Sequence, residues 1–184
     1  MGRWSYSDRR TTEECKSIST KWLKKYDYFI GYKHGGMTWS RAGQQTGSIS
    51  FCVSTFERDE YIRFQYTQTD RHFGEKAELD YKVRLEWTSC HFGGRRWWFI
   101  CPLVVNGQVC NRRVGALYLA SGKYFGCRHC HNLTYQSSKE HDKRIGALMR
   151  NPELLSVYLD GNNSPKKWLA IKAGIKLSMK GVLR

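Results

Sequence analysis

The sequence predicts an α+β fold: an N-terminal helix packed on an antiparallel β-meander, then a four-cysteine module, then a basic helical C-terminal segment. Three observations carry this. Cys15, Ile18, Trp22 and Tyr26 recur at helical spacing, apolar residues alternate with polar ones between Met37 and Ile100, and four cysteines stand beyond them in the order C-x8-C-x16-C-x2-C.

Thr11-Thr12-Glu13-Glu14 is a T-x-x-E capping box, which satisfies the first free amides of a helix. Lys16, Lys21, Lys24 and Lys25 occupy faces away from the apolar stripe, so the helix is amphipathic and packs on the adjoining β domain. The period then changes to two. Ile49, Phe51 and Val53, then Ile62, Phe64 and Tyr66, then Leu79, Tyr81, Val83, Leu85 and Trp87 each alternate with polar residues. Such runs are strands with one dry and one wet face. Polar breaks at 44–47, 56–60 and 69–76 are read as the turns of a meander. Gly93-Gly94 marks an expected boundary: 1–93 as helix plus β domain, 94–136 as the cysteine module, 137–184 as a basic helical tail. In the tail a helix is expected over 138–150, a second after Asn151-Pro152, and a last one from Pro165.

Cys101, Cys110, Cys127 and Cys130 supply the four thiolates that close a tetrahedral shell around one zinc, and Cys127-x-x-Cys130 has the spacing of a metal knuckle. The expectation is a zinc ribbon with one structural Zn2+ per chain, since four sulfurs leave no position open for water. Asn106-Gly107 is a type I′ hairpin signal, so 102–109 should form a β-tongue that lets the first pair converge. A ribbon hairpin is expected from 114–119 and 123–125. Cys90-His91 is an alternative source of a ligand. His129 and His131 are read as neighbours of the site, and Cys15 and Cys52 as small buried residues.

Formal net charge is +15, unevenly spread: 15 basic against 12 acidic residues over 1–89, six against none over 90–135, ten against four over 136–184. A strongly cationic surface favours anionic polymers through counterion release. Arg95, Arg96, Arg112, Arg113, Lys123 and Arg128 interleave with Trp97, Trp98, Tyr118, Tyr124, Phe125 and Tyr135, and Lys166, Lys167 and Lys172 of the last helix would extend the surface. Arginine pairs with phosphate and exposed rings stack on bases, so DNA or RNA is the expected partner. The competing reading is that the rings pack the ribbon on the sheet. No run is long and apolar enough for a membrane span and no signal peptide is recognised, so a soluble cytoplasmic protein is expected, with no small-molecule substrate.

No catalytic residue is assigned. A zinc deaminase needs H-x-E with a downstream P-C-x-x-C; no histidine here has a glutamate two positions on, and Gly126 stands in place of the proline. Asp70, Asp80 and Lys82 loosely imitate the acid, acid-x-lysine arrangement of metal-dependent nucleases, which keeps that class as an alternative. A second alternative is an accessory or inhibitory subunit that docks on a nucleic-acid-processing or defence complex.

The strings GGRRWWFICP, C-N-R-R-V-x2-L-Y-L and F-x-C-R-H-C-x-x-L-T-Y-x-S, with Thr38-Trp39-Ser40-Arg41 and Trp87 to Gly94 upstream, resemble a family of uncharacterised bacterial zinc-ribbon proteins often found in mobile or horizontally acquired DNA. The resemblance covers most of 1–140 and implies a β-rich domain joined to a ribbon. It implies no established activity.

Overall fold

The computed structural model describes residues 9–56, 59–69, 74–120, 122–139, 143–151, 153–160 and 164–179. They fall into two compact units, 9–135 and 136–179.

The amino-terminal segment departs from the expected helix. Thr12–Glu14 make one 3₁₀ turn, the chain extends as β1 (Lys16–Ser19), and only α1 (Thr20–Lys25) is helical. The Glu14 carboxylate still accepts the Thr11 N–H at 3.1 Å, but Ile18 pairs opposite Leu117 of a later strand and both are fully buried. Tertiary pairing of one buried isoleucine outweighs a helical spacing whose intrinsic preference is worth only tenths of a kcal/mol per residue. Ser19 then restarts the helix: its hydroxyl accepts the Trp22 N–H at 3.2 Å as N-cap.

The alternating runs do form strands. β2 (Tyr32–Arg41), β3 (Gln44–Ser54), β4 (Tyr61–Thr69), β5 (Lys76–Ser89) and β6 (Arg95–Ile100) pair antiparallel in succession. After a small hairpin of β7 (Val104–Val105) and β8 (Gln108–Val109), β9 (Arg113–Val114) joins β6 as the sixth strand of that sheet. β10 (Ala116–Leu119) instead pairs with β1. The first turn lies earlier than the expected 44–47, at Ala42-Gly43, where both residues take left-handed φ values of 49° and 80°.

The concave face buries Phe51, Val53, Ile62, Phe64, Val83, Leu85 and Phe99. Leu23 of α1, Ile18 of β1, Leu117 of β10 and Phe125 close over it in the same core. The expected boundary at Gly93-Gly94 therefore falls on the turn between two paired strands, and residues assigned to the ribbon complete the core of the sheet.

On the convex face Arg63 holds Asp80 bidentately, at 2.6 and 2.5 Å, and Gln65 adds a third donor. These bonds, Arg63 first, keep the Asp80 carboxyl below the usual carboxylate range. A depressed carboxyl stabilises the fold at pH values above its unfolded pKa, and that contribution disappears as pH falls through the lower folded value. The pair is exposed, so its effect on stability is small. In an NMR titration Asp80 should protonate below the ordinary value of about 3.9, and the Arg63→Gln variant should raise it towards that value, with the Gln65 bond still holding it down.

The second unit contains α2 (Gln136–Lys139), α3 (Lys143–Arg150), α4 (Glu153–Asp160) and α5 (Ser164–Met179). Ile145, Leu148, Leu155, Ala170, Ala173 and Leu177 form its own small core. No described helix is long and apolar enough to cross a membrane.

Candidate metal centre

β6 delivers the first cysteine. Its pairing with β9 puts Phe99 opposite Val114 and Ile100 opposite Arg113, and the Cys101 N–H continues the ladder to the Arg112 carbonyl at 3.0 Å. The tongue then folds back as the sequence suggests: Asn106 and Gly107 adopt φ values of 52° and 77°, the I′ pattern that only such residues take readily, and the Cys110 N–H reaches the Leu103 carbonyl at 2.9 Å. Cys110 thereby returns beside Cys101.

The second pair sits on a tight turn after Gly126. The expected ribbon hairpin is reduced to one bridge, in which Tyr118 and Gly126 exchange bonds of 2.8 and 3.0 Å. Gly126 has no room for a side chain: a Cβ there would lie 2.1 Å from Leu103 Cδ1 and 3.0 Å from His131 Nε2. Amide donors aim at sulfur within the turn, from Cys127 N–H to Cys101 Sγ at 3.3 Å and from Cys130 N–H to Cys127 Sγ at 3.4 Å.

The four predicted sulfurs converge. All lie within 4.8 Å of one another, with Cys101 and Cys127 buried and Cys110 and Cys130 half-buried. The separations of Cys101 from Cys130 and of Cys110 from Cys127 are both 3.8 Å. Protons are shared unequally. Cys127 is held down to about 4, chiefly by the hydrogen bond from Cys101, while Cys101 in return is driven far above the usual thiol range. Burial, followed by the bond to Cys110, pushes Cys130 up to about 12. Thiols crowded this closely resist ionising together unless a cation lies among the sulfurs. The donor set fits a metal ion. Cys90 is exposed and Cys15 and Cys52 lie outside the cluster. His131 keeps a buried Nε2 with no hydrogen-bond partner among the described residues, and burial lowers its pKa.

The centre is anchored to the sheet by a tyrosine pair. The Phe125 N–H donates to Tyr81 Oη at 2.9 Å, Tyr66 and Tyr81 hydroxyls lie 3.3 Å apart, and the Tyr66 hydroxyl donates to the Lys123 carbonyl. Burial first, and then their mutual bond, raises Tyr66 above the usual phenol range.

The basic residues do not share one surface. Consecutive strand residues point to opposite faces, so Arg95 lies over Trp87 at 4.3 Å on the concave side while Arg96 lies over Trp98 at 4.1 Å on the convex side. Arg113 joins Arg96 on the convex side, but its Nε is 3.5 Å from Glu86, which also holds Arg84 at 2.9 Å. Arg84 is a cation of this patch that sequence reasoning missed; its alternation with Glu86 reads as surface patterning until the strand register brings Arg113 alongside. Arg112 and Lys123 are exposed, and Arg128 lies 5.0 Å from the Tyr135 ring with a bond of 3.3 Å to the Leu133 carbonyl. Lys166, Lys167 and Lys172 belong to α5 of the other unit, where Lys172 covers Trp168 at 3.6 Å. Among the aromatics, Trp97 is buried in a stack with Phe29 and Phe125 is buried in the sheet core, whereas Tyr124 and Tyr135 are exposed.

Two of the three residues of the nuclease-like set lie among the described residues. Asp80 is occupied by Arg63, Lys82 lies 3.9 Å from Asp59 and 3.8 Å from the Tyr61 ring, and Asp70 is outside the described residues. No protein-family profile, curated protein or solved structure matches the chain.

Proposed function

We propose that the chain is a non-enzymatic, zinc-braced nucleic-acid-binding protein of the cytoplasm, of the zinc-ribbon kind its motifs resemble. Zinc is favoured by geometry and ligand type: zinc–sulfur bonds of about 2.3 Å in a tetrahedron need sulfurs about 3.8 Å apart, the separation of two of the pairs. Cys101, Cys110, Cys127 and Cys130 would hold the ion, whose role is to fix the turn that comes after β6. The observation that carries the binding role is the absence of any acidic residue over 88–139, beside a convex patch in which Arg96 lies over Trp98 while Arg84 and Arg113 share Glu86. Arginines at that density pair with phosphate, and a half-exposed indole offers a base a stacking face. The lysine-rich α5 supplies a second cationic element.

Salt tests the reading. Binding to DNA or RNA oligonucleotides, monitored by anisotropy, should fall by orders of magnitude between about 50 and 200 mM salt. Arg96→Ala and Arg113→Ala should each lower the slope of log K against log salt by about one. An affinity indifferent to salt would overturn direct phosphate contact. It would favour the second reading, a docking subunit, for which the exposed valines of the tongue, Val104, Val105 and Val109, are the supporting observation.

A further inference from the structure

The main sheet is not paired along its whole length. β3 and β4 are joined only from Ser50 opposite Gln65 to Ser54 opposite Tyr61. Yet β3 runs back to Gln44 as partner of β2, and β4 runs on to Thr69 as partner of β5. Residues 44–49 and 66–69 are thus two strand edges on either side of a split, and among the described residues no backbone hydrogen bond joins them. Between them lies a cavity of about 1010 Å³. Phe125 props it open from below: its ring lies 6.1 Å from Trp39 on one hairpin and 5.2 and 5.7 Å from Phe64 and Tyr66 on the other. Gln68, which lines the cavity, donates to the Gly122 carbonyl and keeps a buried Oε1 without a partner.

We propose that this cleft binds an extended polypeptide segment of a partner protein, which enters as an inserted strand and completes the sheet. A peptide backbone is the ligand that presents N–H and C=O groups alternately to two strand edges at once. The four-residue overhang of β4, Tyr66–Thr69, sets the paired length at about 13 Å, given about 3.3 Å per strand residue. Trp39, Leu79 and Phe125 line the inner side, so the segment presents an apolar residue at alternate positions inward and polar ones outward. Nucleic acid fits less well. Among the described residues Lys16 is the only cation in the lining, it already donates to the Thr46 carbonyl, and Glu78 and Asp80 contribute carboxylates.

The test uses the full metal-loaded chain. A display library of random peptides about ten residues long is selected against it, and the enriched peptides are synthesised plain and with alternate amides N-methylated. Expected are slowed amide exchange over 44–49 and 66–69 on adding peptide, and binding weakened about tenfold or more by N-methylation, since several backbone hydrogen bonds are lost. Gly47→Phe should weaken binding similarly. A Cβ at Gly47 meets only the movable end of Lys16, so the ring can fill the cleft without displacing backbone. If that variant misfolds, the N-methylation comparison decides. The proposal is overturned if no peptide is enriched, if N-methylation changes nothing, if protection falls elsewhere, or if oligothymidylate or self-association alone protects the same amides.

Discussion

Removing the proposed zinc is expected to be the most damaging single change to this protein. A strong chelator, or Cys127→Ser, should take bound zinc from about one per chain to near zero and collapse the unit of residues 9–135, because structural four-sulfur sites contribute on the order of 10 kcal/mol to folding. The loss cannot stay local. Cys127 is two residues from Phe125, and Leu117 and Leu133, which frame the same turn, are buried. Metal analysis alongside thermal melting checks this: the apo protein should melt far below the loaded one, and readdition of zinc should restore the transition. A melt unchanged by chelation would remove the ion from the account of the fold.

Phe125→Ala is expected to cost about 3–5 kcal/mol, the range for deleting a fully buried aromatic ring. The ring is 1% exposed and touches Trp39, Phe64 and Tyr66 together, so the void opens where β2, β4 and the cysteine turn meet. Denaturant unfolding of the zinc-loaded variant measures it. The variant should also bind zinc less tightly, since the turn carrying Cys127 and Cys130 loses its anchor. Tyr81→Phe, which removes the acceptor for the Phe125 amide and the bond to the Tyr66 hydroxyl but keeps the ring, gives a milder version of the same defect, about 1–3 kcal/mol for a buried donor left unpaired.

How much of this was legible depended on whether the determining contact was local. The strands that became β3, β4 and β5 could be read directly because alternation over nine or more residues needs no partner to be recognised. The cysteines could be read because ligand number and the x2 gap are properties of the string itself. β1 could not: four residues carrying a single buried side chain fit a helical stripe as well as a strand, and only Leu117, about a hundred residues away, decides between them. The same limit applies to the basic face. Arg95 and Arg96 must diverge once β6 is known to be a strand, but the sharing of Glu86 by Arg84 and Arg113 requires the registers of β5, β6 and β9 together. Phe125, read as one of several rings near the cysteines, proved to belong to the sheet because the tyrosine pair draws its backbone in.

Thr11 bridges Thr134 in parallel, with the Thr12 N–H on the Thr134 carbonyl at 2.9 Å and the Thr134 N–H on the Arg10 carbonyl at 3.0 Å. The entrance and exit of the sheet-bearing portion are therefore stitched side by side. A portion built that way can be spliced into a surface loop of a host protein, or circularly permuted by reopening the chain at Asn106-Gly107, without stretching either junction.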